Sequence, residues 1–150
     1  MTATPRLILH PAIEDASFPG SAATLRRLAR RVLTAERVHG RVGIYVVTAR
    51  TMARLNRQLL DRRGATDVLT LCYNEGPAVV DPCDWRGEVW ICWAVARRDA
   101  ARYGQTPAAE WRRYLIHGLL HLAGYEHEGV SANVAARMRA REARYLERMA

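Results

Sequence analysis

Residues 117–127 read His117-Gly-Leu-Leu-His121-Leu-Ala-Gly124-Tyr-Glu-His127, and they hold three of the five histidines of the chain. His117 and His121 are four residues apart in a segment with helical periodicity, so both imidazoles leave the same face of a helix, one turn apart. Gly124 can adopt the left-handed conformation that ends a helix and turns the chain back. That turn brings His127 round as a third ligand, and three nitrogens leave the fourth position of a tetrahedral metal open, as in catalytic zinc sites.

The spacing H-x-x-x-H-x-x-G-x-x-H resembles that of the metzincin proteases. Those proteases have a glutamate directly after the first histidine, where it serves as general base, whereas this chain has Gly118. The alternative interpretation, three unrelated core or surface histidines, is disfavoured because they share one window of ligand spacing. The sequence therefore predicts one Zn²⁺ per chain, bound by His117, His121 and His127, without the protease base.

Outward from this stretch, the hydrophobic pattern predicts strands and helices in alternation. The predicted strands are residues 6–10, 41–48, 67–73 and 87–93, and loops are predicted at residues 11–20 and 74–86. The predicted helices run from the N-cap Ser21 to about Val38, with Gly40 ending the helix, and from Thr48 at its start through Met52, Leu55 and Leu59. Further helices are predicted over residues 94–103, from the N-cap Thr106 with Pro107 first to about Ala123, and from the N-cap Ser131 to the C-terminus. This order predicts an α+β or α/β fold with one sheet of about four strands, mostly covered by helices.

Composition excludes several classes of protein. With 49% hydrophobic and 25% charged residues over 150 positions, the chain is expected to form a single folded domain over residues 1–150 and not a disordered segment. No apolar run approaches the roughly 18 residues that a membrane span requires. Residues 1–11 lack the pattern of a secretory signal, so a cytoplasmic location is expected.

The formal net charge is +8, and all 23 basic residues are arginines. Such an excess favours an anionic partner, of which RNA is the commonest, although a solvated basic surface without a ligand is the alternative. Cys72, Cys83 and Cys92 are odd in number, and no two are spaced as C-x-x-C. Reduced thiols are therefore expected rather than a disulfide framework or a cysteine zinc site.

Residues 117–127 resemble the signature of the YbeY family of bacterial endoribonucleases. Further segments of this chain resemble that family in the same order: Leu55-Asn56, residues 66–70 (TDVLT), residues 87–92 (GEVWIC), and Met138 with Glu142 as an M-x-x-x-E pattern. The resemblance covers roughly residues 42–146 and is more specific than any one motif. It implies a single α+β domain with a mixed sheet of about four strands, about five helices packed around it, and a metzincin-like three-histidine zinc site.

The resemblance also implies a function. The family members are zinc-dependent, single-strand-specific endoribonucleases of the cytoplasm that act in 16S rRNA 3′-end maturation and in ribosome quality control. The implied partners are single-stranded rRNA and the ribosomal small subunit or its assembly factors, with neither a membrane nor DNA expected.

One departure from the family concerns the arginine important for RNA cleavage, because the matching position here is Leu60. Arg62 and Arg63 lie close enough in sequence to replace it, and Arg57 and Arg86 are further candidates for contacting phosphate. The alternative for each is a solvated loop charge.

Other polar residues have candidate roles. Glu126, between the turn and the third histidine, is expected to orient a ligand or to act as a base. Thr66 and Asp67 either orient a ligand or form the turn into a strand. A wider basic RNA surface is expected from arginines on the later helices: Arg97, Arg98, Arg102, Arg137, Arg141 and Arg144.

Two other functions stay open. The departure at Leu60 favours a non-catalytic or weakly catalytic zinc-binding ribosome-assembly factor. A metal-dependent hydrolase of a peptide or small molecule is the second alternative, and Gly118 argues against peptide hydrolysis because the general base is missing.

Overall fold

A computed structural model describes residues 6–73, 84–126 and 129–148 of the chain. Four strands form one mixed sheet in the order β1-β2-β4-β3, namely β1 (Leu7–Ile13), β2 (Gly40–Val47), β3 (Val68–Cys72) and β4 (Trp85–Cys92). Strands β1, β2 and β4 are parallel, and β3 pairs antiparallel with β4. Strands β1 and β3 are consequently the two edges of the sheet, and the predicted four-stranded mixed sheet is confirmed.

Five helices are found in the described ranges: α1 (Ala22–Ala35), α2 (Ala49–Leu60), α3 (Trp93–Tyr103), α4 (Pro107–Leu122) and α5 (Ala132–Arg148). The predicted N-caps Ser21, Thr48 and Thr106 each accept a hydrogen bond from a backbone N–H of the first turn. None of the helices in this part of the chain is both long and apolar enough to cross a membrane. The chain forms a single α+β domain.

Some predicted boundaries were wrong. Strand β1 continues through Pro11 to Ile13, where a loop was predicted, because a proline without an N–H is tolerated on an edge strand. Strand β4 begins at Trp85, two residues before the predicted start, while residues 74–83 of the predicted loop lie outside the described residues. Leu59, at the end of α2, is 48% exposed, whereas Asn56 is buried.

Helix α1 ends at Ala35, before the predicted Val38. Arg37 adopts a left-handed conformation with φ of 59°, and the Val38 N–H donates to the Leu33 carbonyl at 2.8 Å. These are the features of a Schellman motif, in which glycine is usual at the position that arginine occupies here. Gly40, with φ of 105°, was predicted to end this helix but begins β2.

The core lies on both faces of the sheet. On β2, Val42, Ile44 and Val46 belong to the main apolar cluster with α1 and α4. The adjacent Val47 belongs to a smaller cluster with Met52 of α2. Since alternate residues of a strand point to opposite faces, α1 and α4 cover one face and α2 packs on the other.

Helix α4 packs closely on β3 and β4 at Gly118. A Cβ atom at position 118 would lie 2.5 Å from Val89 Cγ1 and 3.0 Å from Thr70 Oγ1. The position that follows the first histidine therefore faces the sheet, and there is no space for the glutamate that metzincin proteases carry there.

A largely buried carboxylate joins the end of α1, the turn after α4, and α5. Glu36, after α1, accepts hydrogen bonds from the hydroxyl groups of Tyr145 on α5, at 2.7 Å, and of Tyr125 in the turn after α4, at 3.1 Å. Arg141 Nε lies 3.2 Å from the Tyr125 hydroxyl oxygen and 3.5 Å from Glu36 Oε1. Burial, followed by the hydrogen bond to Glu36, raises the pKa of Tyr145 to about 12.

Replacing Gly118 with alanine tests the close packing of α4. The added methyl group overlaps Val89, and overpacking typically costs about 1–3 kcal/mol, more than the gain of up to about 1 kcal/mol in helix propensity. We expect Gly118→Ala to lower the free energy of unfolding in urea. Because Val89→Ala removes the overlapping group, the double variant is expected to be destabilised by less than the sum of the two single effects. Strict additivity would contradict the proximity of these two residues.

Replacing Tyr145 with phenylalanine tests the Glu36 cluster. Removal of a buried hydrogen bond to a carboxylate is expected to cost about 1.5–3 kcal/mol at pH 7. The pKa of Tyr145 is about 10 in the unfolded chain and about 12 in the folded protein. The hydrogen bond of the neutral phenol therefore stabilises the fold fully below pH 10, and this contribution is lost as the pH rises through 12. Unfolding measured at pH 7 and about pH 11.5 should therefore show a smaller difference between the two proteins at the higher pH. Tyr103→Phe is the matched control, because Tyr103 is 63% exposed; an equal effect there would contradict the role of Glu36.

Candidate metal centre

The last two turns of α4 bring His117 and His121 together. Their Nε2 atoms are 3.1 Å apart, and the two rings are nearly perpendicular at 82°. Both side chains are partly buried. The predicted one-turn spacing thus produces two convergent nitrogens.

The other ring nitrogen of each histidine faces an oxygen. His121 Nδ1 lies 2.8 Å from the backbone carbonyl of Tyr125, and His117 Nδ1 lies 3.4 Å from Glu142 Oε2 on α5. Carbonyl and carboxylate oxygens only accept, so both Nδ1 atoms donate. In the neutral imidazoles the lone pairs are consequently on Nε2, the two atoms that face each other.

This arrangement fits a shared metal ion. Two lone pairs at 3.1 Å are compatible when a cation, either a shared proton or a metal ion, lies between them. Nitrogens at about 2.0–2.1 Å from one tetrahedral zinc are about 3.3 Å apart, close to the separation found here. Histidines that ligate metals also commonly donate their other N–H to a carboxylate or carbonyl, as these two do.

The third predicted ligand, His127, lies outside the described residues. Within residues 6–73, 84–126 and 129–148, no group of three or more His, Cys, Asp or Glu side chains is arranged to hold a metal. The predicted three-histidine set is therefore represented here by its first two members.

A groove of about 830 Å³ lies beside the two histidines, along the edge strand β3. The lining residues come from the end of α2, the loop that follows it, β3 and its ends, α4, and the turn after α4: Asn56, Leu60, Arg62, residues 66–73, His117, His121 and Glu126. The groove is open to solvent and has both charged and apolar walls, so it is able to admit an extended ligand.

The candidate arginines separate clearly. Arg62 lines the groove, whereas the exposed Arg63 does not. Arg57 forms an exposed ion pair with Asp61, at 3.7 Å, and Arg86 lies on β4 away from the groove lining. Arg62 is thus the one of these four that shares the groove with the histidines.

Asn56 holds the loop that carries Arg62. Its side-chain amide donates to the Gly64 carbonyl at 2.9 Å, and its backbone carbonyl accepts from the Arg62 N–H at 3.2 Å. Leu60, the position predicted to match the family arginine, is 48% exposed and also lines the groove. The groove therefore contains a leucine and an arginine two residues apart.

The acidic candidates lie close to the histidines or in the wall. Glu126 Oε2 is 3.8 Å from His121 Nδ1, too far for a hydrogen bond, and the side chain is 60% exposed. Asp67 Oδ1 accepts from the Val68 N–H at 2.7 Å and from the Thr66 hydroxyl at 3.3 Å. These two hydrogen bonds form the turn into β3, the second of the two roles considered for Thr66 and Asp67.

Several residues of this site were not predicted from the sequence. Glu142 was noted only as part of a pattern, although its spacing of one turn from the buried Met138 already indicates the inner face of α5. Cys72 lines the groove, with its Sγ 3.9 Å from the His121 carbonyl. Burial and then the hydrogen bond to Glu88 raise the pKa of Tyr73, another lining residue.

The arginines predicted to extend a basic RNA surface do not line the groove, and most have partners within the protein. Arg98 pairs with Asp99, and Arg141 with Glu36. Arg97 lies over the Trp93 ring and Arg102 over the Tyr103 ring. Arg137 and Arg144 are exposed on α5.

Known proteins match this chain along most of its length. The protein-family model described as Endoribonuclease YbeY matches residues 13–150. Relatives with that name come from Chloroflexus aurantiacus, 37% identical over 85% of this chain and 86% of the relative, and from Thermobifida fusca, 34% identical over 75% and 77%. A relative of the same name from Mycoplasma pneumoniae is 44% identical over 57% of this chain and 54% of its own length.

A solved structure supports the fold. The solution structure of a Thermotoga maritima protein matches with a TM-score of 0.67 and 24% identity, covering 93% of this chain and 87% of that one. The family match extends over both histidines and the whole groove. By its sequence along nearly its full length, this chain belongs to the Endoribonuclease YbeY family.

Proposed function

We propose that this protein is a zinc-dependent endoribonuclease that cleaves single-stranded RNA in 16S rRNA 3′-end maturation and ribosome quality control. The observation that carries the proposal is the pair of Nε2 atoms 3.1 Å apart beside a groove that contains Arg62. Support comes from the relatives named Endoribonuclease YbeY. A cytoplasmic location and contact with the ribosomal small subunit or its assembly factors are parts of the same proposal.

His117 and His121, with His127 as the predicted third ligand, would hold one zinc ion. Bound zinc supplies a Lewis acid that polarises a phosphoryl oxygen. Glu142 and the Tyr125 carbonyl fix the orientation of the two imidazoles through their Nδ1–H groups. These hydrogen bonds keep both Nε2 lone pairs directed at the same point.

Arg62 is proposed to bind the scissile phosphate. Its guanidinium offers two parallel N–H groups to the non-bridging oxygens, and it offsets the negative charge that develops there during hydrolysis. Glu126 is proposed to accept the proton of the attacking water at a carboxylate oxygen, because it lies in the groove wall near His121. Arg63, outside the groove lining, is the weaker candidate for binding the phosphate.

The alternative is a non-catalytic or weakly catalytic zinc-binding ribosome-assembly factor. The observation that favours it is Leu60, which lies in the groove at the position of the family arginine. A hydrolase acting on peptides is disfavoured, since position 118 has no space for the base of that chemistry.

The metal proposal is tested through Glu142. Removing the charge of an outer partner of a metal-bound histidine typically costs about 10–100-fold in metal affinity. We expect Glu142→Gln to weaken zinc binding by that amount in a competition titration against a chromophoric chelator. Glu147→Gln on the same helix is the matched control, because Glu147 is exposed. Stoichiometric zinc in a His117→Ala, His121→Ala double variant would refute the site, and unchanged affinity in Glu142→Gln would refute the positioning role.

The role of Arg62 is tested by comparing Arg62→Ala with Arg63→Ala in zinc-loaded protein. Removing one group that stabilises transition-state charge typically lowers the rate about a hundredfold or more. We expect that reduction for Arg62→Ala and near-normal cleavage of single-stranded RNA by Arg63→Ala. Normal cleavage by Arg62→Ala would exclude Arg62. Slow cleavage by the wild type, with a faster rate in Leu60→Arg, would instead support the weakly catalytic alternative.

A further inference from the structure

Helix α1 carries a dense group of positive charge on its outer side. Four arginines fall within residues 26–31, and all four are exposed: Arg26, Arg27, Arg30 and Arg31. We call these four side chains the α1 arginine face. The opposite side of the helix is buried in the core through Leu25, Leu28, Ala29, Val32 and Leu33. The arginines therefore point away from the core.

Neighbouring residues do not neutralise this charge in the described part of the chain. Helix α1 contains no acidic residue. Among the described residues, none makes a hydrogen bond, ion pair or ring contact with the side chain of any of the four arginines. Arg26 with Arg30, and Arg27 with Arg31, are like charges four residues apart, a spacing that destabilises an isolated helix. The arrangement thus costs stability without a compensating interaction among these residues.

Arginines on α3, α4 and α5 are arranged differently. Arg98, Arg113 and Arg141 each pair with a carboxylate, and Arg97, Arg102 and Arg112 each lie over an aromatic ring. Helix α5 has exposed arginines as well, but Glu142 and Glu147 are interspersed among them. Helix α2 also has exposed arginines, Arg50 and Arg54, but they are fewer, and its Arg57 pairs with Asp61. The α1 arginine face is therefore set apart by its four exposed arginines within six residues.

We propose that the α1 arginine face is a second RNA-binding surface, which binds phosphates of the strand outside the metal groove. This inference rests on the proposed function for its choice of RNA. Guanidinium groups bind phosphate oxygens bidentately. Arg26 and Arg30 are separated by about 6 Å along the helix axis, so the four side chains suit a polyanion with several phosphates better than one small anion.

The position of α1 sets the length of RNA required. Helix α1 packs against β1, and the groove lies along β3, at the opposite edge of the sheet. Three interstrand spacings of about 4.8 Å separate these edges by about 14 Å. A strand that only fills the groove therefore does not reach the α1 arginine face, whereas a longer one does.

The test compares two quadruple variants of the full, zinc-loaded chain. The first replaces Arg26, Arg27, Arg30 and Arg31 with glutamine. The matched control makes the same change at Arg137, Arg139, Arg144 and Arg148 on α5, four exposed arginines with the same total charge. The probes are single-stranded RNAs of about 2 and about 30 nucleotides, titrated over a range of salt concentrations.

We expect the α1 variant to bind the long RNA at least about tenfold more weakly than the wild type. The negative slope of log K against log salt should become shallower by about 0.7 for each phosphate that the variant no longer binds. Binding of the short RNA should be unchanged, and the α5 variant should retain more affinity for the long RNA. Equal reductions in both variants, or none in the α1 variant, would overturn the proposal. Polyglutamate serves as a further probe. If the α1 variant no longer binds polyglutamate but still binds the long RNA as the wild type does, the proposal is overturned in favour of an acidic protein partner.

Cleavage separates this inference from the proposed function. If the wild type fails to cleave either RNA but the α1 variant still binds the long one more weakly, the proposed activity is wrong and the surface stands. If the wild type cleaves and the two variants bind alike, the surface is wrong and the proposed activity stands.

Discussion

The close packing between α4 and the sheet at Gly118 determines where the histidines lie. With no side chain at this position, the helix approaches Val89 and Thr70 closely enough that any Cβ would overlap them. His117, the preceding residue, and His121, one turn later, are then held at the rim of the groove beside β3. Close-packed interiors resist small displacements, so this packing fixes the starting points of both imidazoles more firmly than an exposed helix would.

Helix packing alone does not orient the rings, and that task is divided among distant parts of the chain. The Tyr125 carbonyl receives the His121 Nδ1–H group, and the Tyr125 hydroxyl in turn donates to Glu36 after α1, 89 positions earlier in the sequence. Helix α5 contributes Glu142 toward His117 and Tyr145 toward Glu36. The orientation of the two Nε2 atoms therefore depends on contacts made by the end of α1, early in the sequence, and by α5, late in the sequence. Disturbing any one of these elements should therefore displace the two imidazoles.

Local patterns in the sequence predicted most of the fold and the convergence of His117 and His121 on one face of α4. Capping by Ser21, Thr48 and Thr106 and the spacing of His117 and His121 depend on neighbouring residues, so the sequence alone reveals them. The predicted end of α1 was wrong because Arg37 adopts the left-handed backbone conformation, for which glycine is the usual residue. The Glu36 cluster and the place of Arg62 in the groove depend on interactions between elements far apart in sequence, which no local pattern encodes.

Strand β3 has a further consequence, because it is a short strand at the edge of the sheet. Within the described residues it pairs with β4 alone, so its other side presents backbone N–H and C=O groups at the groove wall. Such an edge is a template on which a second chain can add a strand, and natural proteins protect it by shortness, by charge or by a cover. Strand β3 is short, with five residues, and the charged Arg62 lies beside it in the groove, so it has the first two protections, shortness and charge. A ligand bound in the groove would supply the third, so filling the groove would also protect this edge from pairing with a second chain.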